Sequence, residues 1–438
     1  MKTFRLLLFV AVFILGVAIT SAQAVMDIQW WHAHGGGLGE KVNAIAAGFN
    51  KSQSMYKVVA TYKGNYHDTM TAGIAAFRSK NPPHILQVFE VGTATMMAAK
   101  AAIKPVYEVM GESGLPFDPK AYLPTVTGYY TTPDGRMLSM PFNSSTPVLY
   151  YNVEAFRKAG LDPNKPPKTW PEVAEYCRKL VKSGYPAGFS TSWISWIHIE
   201  NFSAWHNVPI GTKANGFGGL DTEFTYNSPL HVKHIQQLAD WQKEKIFIYG
   251  GRRNLGNAKF YSGEVAMYTE SSAGYAGCKK TCKFPFRTSM LPYWPDAPGA
   301  PQNTIIGGAS LWVMAGHSPE EYRGVATFFS YLSSPAVQAD WHQFTGYLPI
   351  TTDAYHLTKG QGFYEKNPGM ETALKQMTLN KPTENSKGLR FGNFVQVRDI
   401  NYNELEAIFV GKKNAKKGLG DAVAAGNKLL RKFERANR

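Results

Sequence analysis

The run DIQWWHAHGGGLGEKVNAIAAGFN, residues 27–50, sets the fold class. Asp27 to Trp31 reads as a strand, Gly35-Gly36-Gly37 as a turn, and Leu38 to Asn50 as a helix with apolar residues recurring at Leu38, Val42, Ile45 and Phe49. The same order returns downstream. Tyr56 to Tyr62 is a second strand, followed by the turn Lys63-Gly64-Asn65 and a helix from Asp68 to Ser79. Ile85 to Phe89, after Pro82-Pro83, is a third strand that leads into Glu90 and another helix. Strand, loop and helix in succession predict an α/β fold, a parallel sheet covered on both faces. Ligands of such sheets sit at the carboxyl ends of the strands, where Trp31, Lys63, Tyr66 and Glu90 fall.

At 438 residues the chain is too long for one core and suits two or three domains. Its composition, 44% hydrophobic and 18% charged without a biased tract or fixed repeat, excludes disorder, collagen, coiled coil and solenoid. Residues 1–24 read as a secretory signal peptide: Lys2 and Arg5, the apolar run Leu6 to Ile19, and Ala22-Gln23-Ala24 as cleavage site. That run is shorter than a membrane span requires. A soluble exported protein starting near Val25 is the expectation.

The formal charge is +15, or +13 without Lys2 and Arg5. Gly411 to Arg438 carry nine Lys and Arg against Asp421 and Glu434, so about half of the excess lies in one tail. Leu419, Val423, Leu430 and Phe433 there share one helical face, which makes the charges the solvated face of a terminal helix. Nucleic acid binding lacks a recognition motif. In an oxidising compartment Cys278 and Cys282 are placed to close a small disulfide loop, leaving Cys177 as a buried thiol in a helix. A metal site on the two thiols lacks a nearby His pair.

Met140 to Asn152, MPFNSSTPVLYYN, reads as an extended, Pro-flanked crossing between lobes rather than a sheet element. Thr169 caps a helix that begins at Trp170. Gly307-Gly308-Ala309 precede a strand, Ser310 to Ala315, and Gly346 to Ile350 makes a second crossing. Crossings of this kind bound a cleft whose halves hinge. The expected division is 25–143 plus 300–346 as lobe 1 and 144–299 plus 347–438 as lobe 2.

No Gly-x-Ser-x-Gly elbow, Gly-x-x-x-x-Gly-Lys-Ser/Thr loop or His-Glu-x-x-His motif is present. His32-Ala33-His34 has no further metal ligand at a recognisable spacing, and nothing in the chain calls for a cofactor. Glu90 with Glu270 is the one pairing that fits a glycosidase acid and base, which keeps a secreted hydrolase as the rival class.

Several strings carry a specific resemblance: YKGNY (62–66), AGIAAFR (72–78), EVGTATMM (90–97), PFNSSTPVLYYN (141–152), GGASLW (307–312), GYLPI (346–350) and GFYEKNP (362–368). They resemble the periplasmic sn-glycerol-3-phosphate-binding proteins of ABC importers, within extracellular solute-binding protein family 1. LYYN (149–152), PKTW (167–170) and GEVAM (263–267) are similar to that family at large. The resemblance implies a two-lobed periplasmic-binding-protein fold of type II, with the ligand in the cleft between the lobes. It also implies a monomer with no enzymatic activity that hands its ligand to permease subunits in the inner membrane. Glycerophosphodiesters, glycerophosphocholine among them, and neutral sugars are the alternative ligands.

Carried over residue by residue, the family's ligand contacts fall on Tyr66, Glu90, Ser145, Ser271, Gly308, Tyr347 and Arg398, with Trp170 as a wall. The residue types suit a phosphate ester. Arg398 supplies a two-pronged cation, the serines and tyrosines supply hydroxyls, Gly308 an open N–H, and Glu90 an acceptor for glycerol hydroxyls. MYTESSAG (267–274) departs from the family, which commonly has a small residue in place of Glu270. A solvent-facing Glu270 is expected, because Glu is rarely buried unpaired.

Overall fold

A computed structural model describes residues 25–132 and 134–438. The signal-peptide reading lies outside the described residues. Among the described residues eleven strands form two sheets: β1 (Met26–His32), β2 (Tyr56–Tyr62), β3 (Ile85–Phe89), β4 (Ile103–Lys104), β5 (Met140–Ser145), β6 (Pro147–Asn152), β7 (Ala187–Thr191), β8 (Phe247–Tyr249), β9 (Val265–Ser271), β10 (Phe286–Ser289) and β11 (Gly307–Met314).

The first sheet runs β2-β1-β3-β11-β4, with β5 also paired to β11. β1 is parallel to β2 and β3, as the strand-helix alternation requires, and β11 returns antiparallel beside β3. The Gly36–Ser52 helix turns Val42, Ile45 and Phe49 inward, and the Tyr66–Arg78 helix starts on a capping box between Asn65 and Asp68. The Pro319–Leu332 helix covers β1. The second sheet runs β10-β6-β9-β7-β8. Helices Trp170–Lys182 and Pro229–Lys243 lie against it, and the latter also meets helices Phe394–Phe409 and Ala415–Asn437.

The Met140–Asn152 segment is both a crossing and a pair of sheet elements, which corrects the sequence expectation. β5 ends in the first sheet at Ser145, Thr146 links, and β6 begins in the second at Pro147. Every residue of both strands is buried, so no alternation of polar and apolar residues marks them. After the Gly346–Ile350 stretch the Leu123 N–H donates to Ile350 O at 3.0 Å, and Tyr122 forms an isolated bridge with Thr351. The Thr352–Gly360 helix packs on the Pro335–Thr345 helix, and contact with β6 arrives only at Thr372–Met377.

Cys278 and Cys282 are bonded to each other, and Cys177 is a buried free thiol in the Trp170–Lys182 helix. Leu419, Val423, Leu430 and Phe433 all face inward from the terminal helix. No helix among the described residues is long and apolar enough to cross a membrane.

Candidate functional site

The two sheets meet around a cavity of about 630 Å³. On the first sheet's side Tyr66 opens its helix, Glu90 follows the end of β3, Ser145 ends β5, Gly308 lies in β11, and Tyr347 follows the Pro335–Thr345 helix. Ser271 ends β9 on the opposite side, and Arg398 stands near the start of the Phe394–Phe409 helix. Gly308 is held at φ 96°, and a Cβ there would overlap the Asn143 carbonyl oxygen, so only glycine fits.

The tyrosines are fixed from behind. Gln87 Nε2 donates to His34 Nε2 at 2.9 Å and to Asn143 Oδ1 at 2.7 Å. Asn143 Nδ2 donates to Tyr66 Oη at 2.8 Å, and Tyr66 Oη lies 3.4 Å from Tyr347 Oη. Tyr66 stacks on Phe89 and Tyr347 on Trp341, with centroids 5.4 and 5.7 Å apart. Burial lowers His32 to about 4 and His34 to about 3, so both imidazoles are neutral. Neither His32 nor His34 is among the residues that line the cavity.

Arg398 spans the cleft. Its Nε and Nη2 donate to Glu200 Oε1 and Oε2 at 2.8 and 2.6 Å, and Nη2 also donates to Glu90 Oε1 at 2.5 Å. All three side chains are nearly fully buried. Burial raises the Glu90 carboxyl above its ordinary range while Arg398 pulls it down. Burial also opposes the charge on Arg398, but the Glu200 and Glu90 carboxylates outweigh it and keep the guanidinium charged. No group among the described residues takes the two Nη1 hydrogens.

Glu270 reverses the solvent-facing expectation: it is 2% exposed and lines the cavity. Its carboxylate is caged, which is what permits the burial. Tyr268 Oη donates to Oε2 at 2.7 Å, the Ser271 N–H donates to Oε1 at 2.6 Å, and Asn257, with its amide nitrogen turned inward, donates to Oε2 at 2.5 Å. Burial still raises its pKa to about 7, against the pull of these donors.

Bacterial extracellular solute-binding proteins share a family model that matches residues 44–372 of this chain. The chain belongs to that family. A relative in Yersinia pseudotuberculosis, named sn-glycerol-3-phosphate-binding periplasmic protein, is 54% identical over 419 residues, 95% of each chain. The Escherichia coli K12 protein of the same name is 52% identical over 426 residues, 97% of each chain. Among solved structures, UgpB of Mycobacterium tuberculosis in complex with glycerophosphocholine superposes with a TM-score of 0.77 at 21% identity, over 93% of this chain and 99% of that one. The acarbose-binding GacH receptor of Streptomyces glaucescens gives a TM-score of 0.78 at 17% identity, over 93% and 99%. The two-lobed architecture is therefore that of solute-binding proteins.

Within this family frame, the structure brings seven of the eight anticipated residues to one cavity and leaves Trp170 outside it. Trp170 is the first residue of its helix, pinned by the Thr169–Glu172 capping box, and its ring is buried 4.8 Å from that of His234 in the second lobe's core. The aromatic walls are Trp193 and Trp196 instead. Trp193 holds a left-handed φ of 46°, costly for a bulky residue, and Trp196 lies flat against Gly307. Of the other residues expected at the strand ends, Lys63 sits over the Trp31 ring at 4.0 Å, and neither lines the cavity. Glu200 escaped the sequence reading, yet it left a signal as the lone acid in the run Ile194 to Phe202, where burial demands a partner. His84, His317 and Glu321 cluster far from this cavity's lining. They do not form a metal site: His84 Nδ1 accepts the Gln29 N–H at 2.9 Å, so Nε2 carries the proton and faces Glu321 at 3.1 Å.

Proposed function

We infer that this protein is the periplasmic solute-binding component of an ABC importer, capturing sn-glycerol 3-phosphate and delivering it to the membrane permease. It acts as a monomer, needs no cofactor and performs no chemistry on its ligand. The observation that carries this reading is the 54% identity, over 95% of both chains, to a relative named for that ligand. In this reading the phosphate takes the free Nη1 hydrogens of Arg398, the Ser145 and Ser271 hydroxyls, the Gly308 N–H and the two phenols, while Glu90 accepts from the glycerol hydroxyls. Isothermal titration with glycerol 3-phosphate tests it; no heat at micromolar protein, with folded protein shown by circular dichroism, would reject it.

A second ligand has a specific observation in its favour. Glu270 lines the same cavity as Ser271 and ionises near neutral pH, so a phosphate dianion meets more repulsion than a singly charged diester such as glycerophosphocholine. Titrating wild type and Glu270→Ala with both ligands decides between them. An affinity ratio that moves toward the monoester in the variant assigns the wild type to the diester, and an unchanged ratio keeps glycerol 3-phosphate.

A further inference from the structure

Half of the excess positive charge has no part in the cavity. It stands on the Ala415–Asn437 helix and the turn before it, whose buried side rests on the Phe394–Phe409 and Pro229–Lys243 helices of the second lobe. We propose that the outward side of this helix docks on the anionic phospholipid surface of a membrane, holding the protein beside the bilayer in which its permease sits. The choice of membrane rests on the periplasmic reading above; the lipid contact itself does not.

Charge and surface relief carry the proposal together. Lys412, Lys416, Lys428, Lys432 and Arg435 are all exposed, and none has a carboxylate partner among the described residues. The two acids of this helix are engaged elsewhere. Asp421 is held between Lys413 and Lys417 at 2.9 and 2.6 Å, and Glu434 pairs with Arg431 and Arg438. At 100° per residue, Lys428, Lys432 and Arg435 fall on the side opposite Leu419, Gly426, Leu430 and Phe433, which are buried. Lys428, Lys432 and Arg435 thus form one outward cluster about 10 Å long, and Lys412 and Lys416 are exposed at the other end of the helix.

A protein partner is recognised by a few anchoring aromatic or arginine side chains seated in pockets. The helix exposes no aromatic residue, and its exposed neutral positions are Ala424, Ala436 and Asn437, with Val410 the one large apolar side chain exposed beside the turn. A cluster of unpaired cations without aromatic anchors matches a diffuse anionic surface, which attracts by summed charge rather than by shape. Each cation held within a Debye length of such a surface strengthens the partition about fivefold.

The test is co-sedimentation of the mature protein with vesicles of phosphatidylglycerol and phosphatidylcholine, against vesicles of phosphatidylcholine alone. The expected result is binding to the anionic vesicles at about 0.15 M salt, stronger at low salt, with none to the zwitterionic ones. The variant K416E/K428E/K432E/R435E should bind at least about tenfold more weakly, while its melting temperature and its titration with glycerol 3-phosphate stay as in wild type. Equal binding to both vesicle types, no binding to the anionic vesicles, or unchanged binding by the variant each overturns the proposal. So does binding only to membranes that contain the permease, which would make the helix a protein-docking surface. Ligand titration is read independently, so failure of the lipid contact leaves the transport reading intact.

Discussion

Glu270→Gln preserves the shape of a buried side chain and removes its titration, which makes its cost measurable. Burial raises this carboxyl from 4.5 to about 7 in the folded protein. Between those values the native state keeps a proton that the unfolded chain has already released. An acid whose folded pKa lies above its unfolded one adds stability that is complete below the unfolded value and is lost as pH rises through the folded value. With 4.5 for the unfolded chain and about 7 for the folded one, wild type loses about 2 to 3 kcal/mol through this residue between pH 5 and pH 8. The glutamine variant loses nothing there: its Oε1 still accepts the Ser271 N–H, and its Nε2 donates to Tyr268 Oη and, with the Asn257 amide turned, to Asn257 Oδ1. Urea unfolding of both proteins, followed by tryptophan fluorescence at pH 5 and pH 8, reads the difference. The variant should gain on wild type by about 2 to 3 kcal/mol as pH is raised. A gap constant to within about 0.5 kcal/mol would mean that the cage of donors solvates the carboxylate as well as water does, and the argument for a raised pKa would fail.

Arg398→Ala should weaken glycerol 3-phosphate binding at least about 30-fold by calorimetry and lower stability by about 3 to 5 kcal/mol, because Glu200 and Glu90 are left buried without their partner; affinity within about threefold of wild type removes Arg398 from the site. Gly308→Ala should destabilise by at least about 1 to 3 kcal/mol in thermal melts, since the positive φ and the Asn143 carbonyl both exclude a Cβ. Asn143→Ala cuts the relay behind Tyr66, so the protein should fold but bind ligand about five- to tenfold more weakly. The buried histidines His198, His206 and His231 have pKa values lowered by desolvation to about 3 or 4. Bases depressed in this way stabilise fully above their unfolded value near 6.5 and lose that contribution as pH falls, so the melting temperature should drop from pH 7 to pH 5, and a flat profile would show these imidazoles to be solvated.

How much the amino-acid order reveals depends on whether an element sees water. The terminal helix is half-solvated, so the spacing of Leu419, Val423, Leu430 and Phe433 announces its buried side, and the structure agrees. β1, β2 and β3 are bracketed by turns and helices, and their parallel pairing follows from that punctuation. β5 and β6 are covered on both faces, so their residues carry no period, and only the prolines and the polar stretch around Ser144 mark that the chain changes sheets there.

The site follows the same logic one level up. Motif similarity located single residues, and seven of the eight share a cavity, but similarity of strings carries no information about pairing. Glu270 illustrates the gap. The rule that a carboxylate is not buried alone is sound, and it misled here because the partners come from elsewhere: Tyr268 two residues back, Asn257 from a separate helix, and the Ser271 N–H from the chain itself. Glu200 and Arg398 lie 198 residues apart and Glu90 and Arg398 308 apart, so their ion pairs form only once the chain has folded. The charge of the cleft is therefore a tertiary quantity. Arg398 arrives already shared by two carboxylates, and with Glu270 ionised the four buried side chains sum to −2. Among the groups that line the cavity, however, three acids, Glu40, Glu90 and Glu270, stand against three bases, Lys279, Lys280 and Arg398. In the reading proposed above, a ligand phosphate draws on neutral donors, namely serine and tyrosine hydroxyls and the Gly308 N–H, on the Nη1 edge of one guanidinium and on the two lysines. Lowering the charge at Glu270, by acid or by substitution, is the change that most favours a dianion.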